Sequence, residues 1–122
     1  MTRARAPRRS IIACFGEALV DLLAQPAATP AEPRHFVEYA GGAPANVAVA
    51  VARLGGTARF VGMLGADLFG DMLLAQLQDA GVDTQCVRRT AAARTALAFV
   101  SLDAAGERSF SFYRPPAADL LF

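Results

Sequence analysis

The stretch Gly41 to Gly65, GGAPANVAVAVARLGGTARFVGMLG, decides how this chain reads. It places a glycine pair and an early Asn ahead of an Ala/Val helix, closes that helix with glycines, and follows it with an apolar strand. Glycines just before a helix let the backbone adopt φ > 0 and approach a ligand closely. Pro44 suits the first helical turn, where its missing N–H costs nothing. Asn46 adds a donor and an acceptor beside that opening. The pattern predicts a helix over Asn46 to Leu54 with Val47, Val51 and Leu54 on one face. Gly55-Gly56 ends it, and Arg59 to Leu64 follows as a buried strand.

Upstream, the β-branched run Ile11 to Phe15 suits a strand buried on both faces and leads through Gly16 and Glu17 to Val20-Asp21-Leu22-Leu23. The stretch QPAATPAEP, ending at Pro33, holds three prolines and reads as a loop. His35 to Ala40 alternates in polarity and forms a strand that delivers the chain into Gly41-Gly42. Downstream, Asp67 caps a second helix, with Phe69, Leu73, Leu77 and Ala80 as its apolar stripe and Gly81 as its stop. Val82 to Arg89 carries a short extended piece. Thr95 to Leu102 and Ser109 to Tyr113 alternate with period two around a turn at residues 103–106, a hairpin. Pro115-Pro116 breaks the second strand, and Ala117 to Phe122 begins a helix. Strands alternating with helices predict a parallel α/β core. The hairpin and the 35–40 strand fall outside that rhythm and read as a smaller antiparallel sheet.

Composition narrows the classes. The chain has 122 residues, 54% of them apolar and 19% charged, enough for one modest core. No apolar run reaches the roughly 18 residues of a membrane span, and the expectation is a cytoplasmic globular protein without membrane partners. Net charge is +1, yet four of the twelve arginines (Arg3, Arg5, Arg8, Arg9) fall in the first nine residues. The other eight against eleven carboxylates leave −3, which is no nucleic-acid footprint. Residues 1–10 read as a disordered basic tail, lacking the apolar segment of a targeting signal. The chain has no Lys, which removes a phosphate-loop lysine and Schiff-base chemistry from it. The one His, His35, reads as a surface strand residue, and Cys14 and Cys86 have no metal-type spacing and are expected reduced and buried.

Asp21 follows the first strand, where ligands of open α/β sheets gather. A carboxylate there can accept hydrogen bonds from two hydroxyls at once. Arg114, after the last strand, offers a planar fork for a substrate oxygen or a phosphate. Asp67 and Gly70 are read as a helix cap and a close-packing position, with no catalytic role.

The spacing G-G-x-P-x-N-x-A, with Gly55 and Gly65 at fixed distances beyond, resembles the first signature of the ribokinase/pfkB-type carbohydrate kinases. The resemblance covers residues 11–122 and implies the N-terminal portion of an α/β/α sandwich with a small antiparallel β-lid (strands near 35–40 and 95–114) over a sugar. It implies substrate binding by Asp21, Gly41, Gly42, Asn46 and Arg114, with ATP and Mg2+ as cofactors of the complete enzyme. The form G-E-x-x-x-D at residues 16–21 is typical of fructokinases and 2-keto-3-deoxygluconate kinases, and FYRPPAAD at 112–119 resembles the fructokinase pattern. The expected activity is therefore ATP-dependent phosphorylation of fructose. The alternatives are a 2-keto-3-deoxygluconate kinase, a ribokinase or nucleoside kinase, and a non-catalytic sugar-binding module that dimerises through its lid strands. The family's catalytic Asp lies in a C-terminal D-T-x-G-A-G-D motif that does not occur in this sequence. The chain alone is thus expected to be a fragment, inactive and poorly soluble.

Overall fold

A computed structural model describes residues 10–122. The expected basic tail lies outside the described residues except for Ser10, which is exposed. Two sheets carry the chain. β1 (Ile11–Phe15), β4 (Thr57–Gly65) and β5 (Asp83–Thr90) form a three-stranded parallel sheet in the order β1-β4-β5. β2 (Leu19–Ala24), β3 (Phe36–Gly41), β6 (Leu97–Leu102) and β7 (Arg108–Tyr113) form a four-stranded sheet in the order β3-β2-β6-β7. Helices α1 (Ala43–Arg53) and α2 (Leu68–Asp79) pack on the parallel sheet, and a short 3-10 helix (Ala118–Leu121) lies against β4. The expected α/β class with a separate lid sheet is borne out.

The lid is mixed rather than wholly antiparallel. β2 joins it as a central strand, antiparallel to β3 and parallel to β6. Nothing local marks Val20 to Leu23 as leaving the core sheet, because its partner Leu97–Val100 lies far along the chain.

α1 begins at Ala43, three residues earlier than expected, and turns a different face inward. Ala45 and Ala48 are buried, Val49 and Ala52 pack beside them, while Val47 and Leu54 are exposed. Positions 45, 48, 49 and 52 follow the i, i+3, i+4, i+7 stripe. In a helix apolar at nearly every position, periodicity alone does not single out that face. Small Ala side chains let the helix sit close to β4, where Phe60 and Leu64 fill the core with Leu73 and Leu77 of α2.

β4 alternates: Ala58, Phe60 and Leu64 are buried while Arg59, Val61 and Met63 are half-buried. β1 corrects the expectation of two buried faces. Only Cys14 is buried, and Ile11, Ile12 and Phe15 are exposed, since β1 is an edge strand with α1 over one face. Cys14 and Cys86 are both free thiols, but Cys86 is only half-buried. The second helix meets its expectation, with Leu73 and Leu77 buried and Gly81 at φ 81° beyond its end. Instead of a regular helix, the last residues form one 3-10 turn. Among the described residues no helix is long and apolar enough to cross a membrane.

Candidate functional site

Asp21 stands on β2 opposite Tyr39 of β3 and beside Ala98 of β6, which in turn pairs with Phe112 of β7. Residues directly opposite share a face of a sheet. The carboxylate therefore lies between two exposed aromatic rings, Tyr39 and Phe112, above the small buried Ala98. Burial raises the Asp21 pKa above the ordinary carboxylate value, and no hydrogen bond or charge among the described residues opposes it.

Gly41 ends β3 directly beneath that carboxylate. A Cβ there would collide with Asp21 Oδ2, so only glycine leaves the acid in place. Gly42 caps α1 with φ 100°, in the left-handed half of backbone space, and a Cβ would come within 2.6 Å of the Glu17 carbonyl oxygen. Pro44 occupies the first helical turn and packs against Gly16. Asn46 is exposed one turn into α1, its backbone N–H donating to the Gly42 carbonyl at 2.9 Å. Gly41 and Asn46 also line a cleft of about 430 Å3 between α1 and α2, with Leu73, Leu77 and Ala80 across from them. Asp21 faces away from that cleft, on the aromatic side of the lid.

Arg114 is separate from this group. Its Nε and Nη2 donate to Oδ2 of Asp119 at 2.8 and 2.6 Å, and the Asp119 side chain is only 2% exposed. The structure thus brings together Asp21, Gly41 and Gly42, puts Asn46 one turn away, and holds Arg114 in an ion pair beyond β7.

Three participants escaped the sequence reading. Glu17 Oε1 accepts from the Ala43 backbone N–H at 3.3 Å, capping α1 across 26 residues of chain. Asp119 holds Arg114. Thr95 meets Asp67: Asp67 Oδ1 accepts from Gly70 N–H and from the Thr95 hydroxyl, both at 2.8 Å, and Oδ2 accepts from Thr95 N–H at 2.8 Å. The expected helix cap at Asp67 is present, and it also ties α2 to the start of β6. Glu17 and Asp119 lay within quoted motifs, but nothing local in the sequence signals these bonds for them or for Thr95.

Neither long helix offers its N-terminus to a phosphate. Glu17 sits at the start of α1 and Asp67 at the start of α2, and a fixed carboxylate repels a second anion there. Among the described residues no cluster of three or more His, Cys, Asp or Glu could hold a metal ion. The residues present fit a hydroxylated, uncharged ligand better than a nucleotide.

A glycine-lined helix start thus stands beside a half-buried lid carboxylate. The chain belongs to the pfkB family of carbohydrate kinases, whose pattern it matches over residues 10–122. It is 57% identical over 117 residues to fructokinase-1 of Oryza sativa subsp. japonica, covering 95% of this chain and 36% of that protein. It is 67% identical to the solved fructokinase of Xylella fastidiosa, with TM-score 0.89 over 93% of this chain and 35% of that one. A fructokinase structure from that organism with bound ATP matches at 65% identity and TM-score 0.88, over 93% and 36%. A double mutant of Vibrio cholerae O395 fructokinase, solved with fructose, ADP and potassium ion, matches at 42% identity and TM-score 0.77, over 94% and 35%. The chain therefore spans about 36% of the length of the first of these relatives.

Proposed function

We propose that this chain supplies the sugar-binding part of an ATP-dependent fructokinase. The observation that carries the reading is Asp21: a desolvated carboxylate without a partner among the described residues, set between exposed Tyr39 and Phe112 and resting on Gly41. An acceptor of that kind suits a pair of sugar hydroxyls, and flanking rings suit the apolar face of a pyranose or furanose. Gly42 keeps the backbone open at the mouth of the site, while Asn46, exposed one turn into α1, lines the neighbouring cleft. The fructose found in the V. cholerae relative supports the choice of sugar.

ATP supplies the phosphoryl group in this reading, as the ATP-bound relative supports, and Mg2+ is proposed to accompany it. The residues of this chain do not fit the nucleotide, so it is assigned to the remainder of a full-length kinase. What this chain contributes is binding and orientation of the sugar hydroxyl, a large share of catalysis in phosphoryl transfer. Assays of the full-length protein with fructose, 2-keto-3-deoxygluconate, ribose and adenosine test the proposal. Fructose turnover with an Asp21-dependent KM is expected; turnover of ribose or adenosine alone would overturn it.

A second reading keeps sugar binding but places it in a non-catalytic, dimerising module. It is supported by Val37, Tyr39, Phe110 and Phe112, all exposed, and by the lid edges β3 and β7. Unpaired strand edges recruit partners. Sedimentation equilibrium of the folded protein, with and without fructose, separates a dimer from a monomer.

A further inference from the structure

We propose that Glu17 is a positioning residue for the sugar site: it clasps the turn from β3 into α1, and so holds Gly41 where the Asp21 carboxylate stays free to take substrate hydroxyls. The inference rests on the sugar-kinase reading above and gives Glu17 a part in that site beyond capping α1.

Three consecutive residues, Gly41, Gly42 and Ala43, carry the connection. Glu17 lies in the crossing from β1 to β2, just before the strand that bears Asp21. Two of its atoms reach the turn after β3. Oε1 accepts from the Ala43 backbone N–H at 3.3 Å. Its carbonyl oxygen lies against Gly42, where a Cβ would stand 2.6 Å from it and 2.9 Å from Ala18 Cα. Gly41, the next residue back, lies against the other side of the site, and a Cβ on it would collide with Asp21 Oδ2. Glu17 therefore touches the turn at two points, and the same turn touches the acid.

Neither end of that contact is held by anything closer. Asp21 has no hydrogen bond or charge partner among the described residues, so the backbone beneath it decides where its carboxylate rests. Gly42, at φ 100°, has no side chain to cap α1, and glycine there is free to take many backbone angles. An orphan N–H at a helix start is ordinarily met by the N-cap side chain. Here the acceptor comes from Glu17, 26 residues away in the chain. The contrast with Asp67 shows what this bond does. Asp67 caps α2 from its own N-cap position and takes three bonds at 2.8 Å. Glu17 makes one longer bond in an exposed place, a weak source of stability. Its loss should therefore show in sugar binding more than in melting.

Kinetics and thermal melts of the full-length protein test this. Glu17→Ala should lower fructose kcat/KM roughly fivefold, mainly through KM, with KM for ATP little changed. Glu17→Gln keeps an oxygen for the Ala43 N–H and should bring fructose KM back to within about twofold of wild type. In an Asp21→Ala background, Glu17→Ala should change fructose KM little, because its effect runs through the carboxylate that is gone. An equal loss in both backgrounds would mean a merely structural role and overturn the proposal. So would a wild-type fructose KM in Glu17→Ala, or a Gln variant as impaired as the Ala one. In each of those cases fructose turnover by the wild-type protein leaves the broader reading standing, whereas a wild-type protein inactive on every sugar overturns both. If Glu17→Ala does not fold, Glu17→Asp keeps the charge but withdraws it from Ala43. That variant should raise fructose KM with the melting midpoint within a few degrees, and a wild-type KM in it counts against the proposal.

Discussion

Asp21 sits on the lid with burial raising its pKa and no donor among the described residues to offset it. A carboxyl whose folded pKa exceeds its unfolded value removes stability once pH rises above that range, and restores it as pH falls through it. At pH 7 the ionised group therefore works against the fold. Asp21→Asn should leave the melting temperature unchanged or raise it, while sugar kcat/KM falls tenfold or more. That loss corresponds to the roughly 1.5–3 kcal/mol of a hydrogen bond to a charged group. Thermal melts and steady-state kinetics on one preparation check both signs. Gly41→Ala should raise the sugar KM with Asp21 intact, because its Cβ collides with Oδ2. Gly42→Val should lower the melting temperature further, since it combines φ 100° with a collision on the Glu17 backbone. The positive φ at Gly42 was legible in sequence, whereas the clearance Gly41 gives Asp21 was not, since the two meet only once β2 and β3 pair. Nor was Glu17 legible as the cap, since the bond to Ala43 exists only once β1, β3 and α1 are folded.

At the scale of elements, Asp67 joins three of them: it caps α2 after β4 and receives both the amide and the hydroxyl of Thr95 before β6. Burial alone would raise its pKa, but the hydrogen bonds from Thr95 and Gly70 outweigh that and hold it below the ordinary value. Its stabilisation is therefore present above the unfolded pKa of about 3.9 and fades as pH falls through the lower folded value. Asp67→Ala should destabilise by roughly 2–4 kcal/mol, combining a lost cap with unpaired donors at Thr95. Urea titrations of wild type and variant should begin to approach each other as pH falls below about 4; a difference that stays constant as pH falls further would count against the carboxylate as its source. The cap was readable from a single Asp before an apolar stripe. The link to Thr95 spans 28 residues and two sheets, and no period records it. α1 shows the opposite limit: its helicity was plain, yet its buried face was not, because Ala and Val fill every side.

Across the whole molecule, the parallel core and its lid were legible because strand and helix periods alternate and then stop alternating. The place of β2 was hidden because it reads as more of the first strand. The exposed set Ile11, Ile12, Phe15, Leu120, Leu121 and Phe122 has a physical consequence for the 122-residue chain. Phe15 and Phe122 already meet edge to face with centroids 5.4 Å apart, so exposed apolar surface of β1 adjoins that of the last turn. Patches of that kind drive association. The isolated chain should elute as aggregate by light scattering and show no ATP turnover with fructose. A monodisperse, active sample would overturn that expectation. Within the core, Phe60→Ala should cost about 3–5 kcal/mol, as a fully buried ring leaves a cavity between the sheet and both helices.

The parallel pairing of Asp21 with Ala98 sets a schedule for biosynthesis. At about 5–20 residues per second, roughly 4 to 15 seconds of translation separate β2 from the strand that completes its sheet. During that interval β2 has only β3 beside it, and a two-stranded ribbon is marginal in water. β1, α1, β4 and α2 emerge meanwhile and can pack on one another. Ribosome-stalled chains ending before Leu97 should therefore protect the amides of β4 from exchange while those of β2 remain open. Nascent chains long enough to expose β6 should protect both.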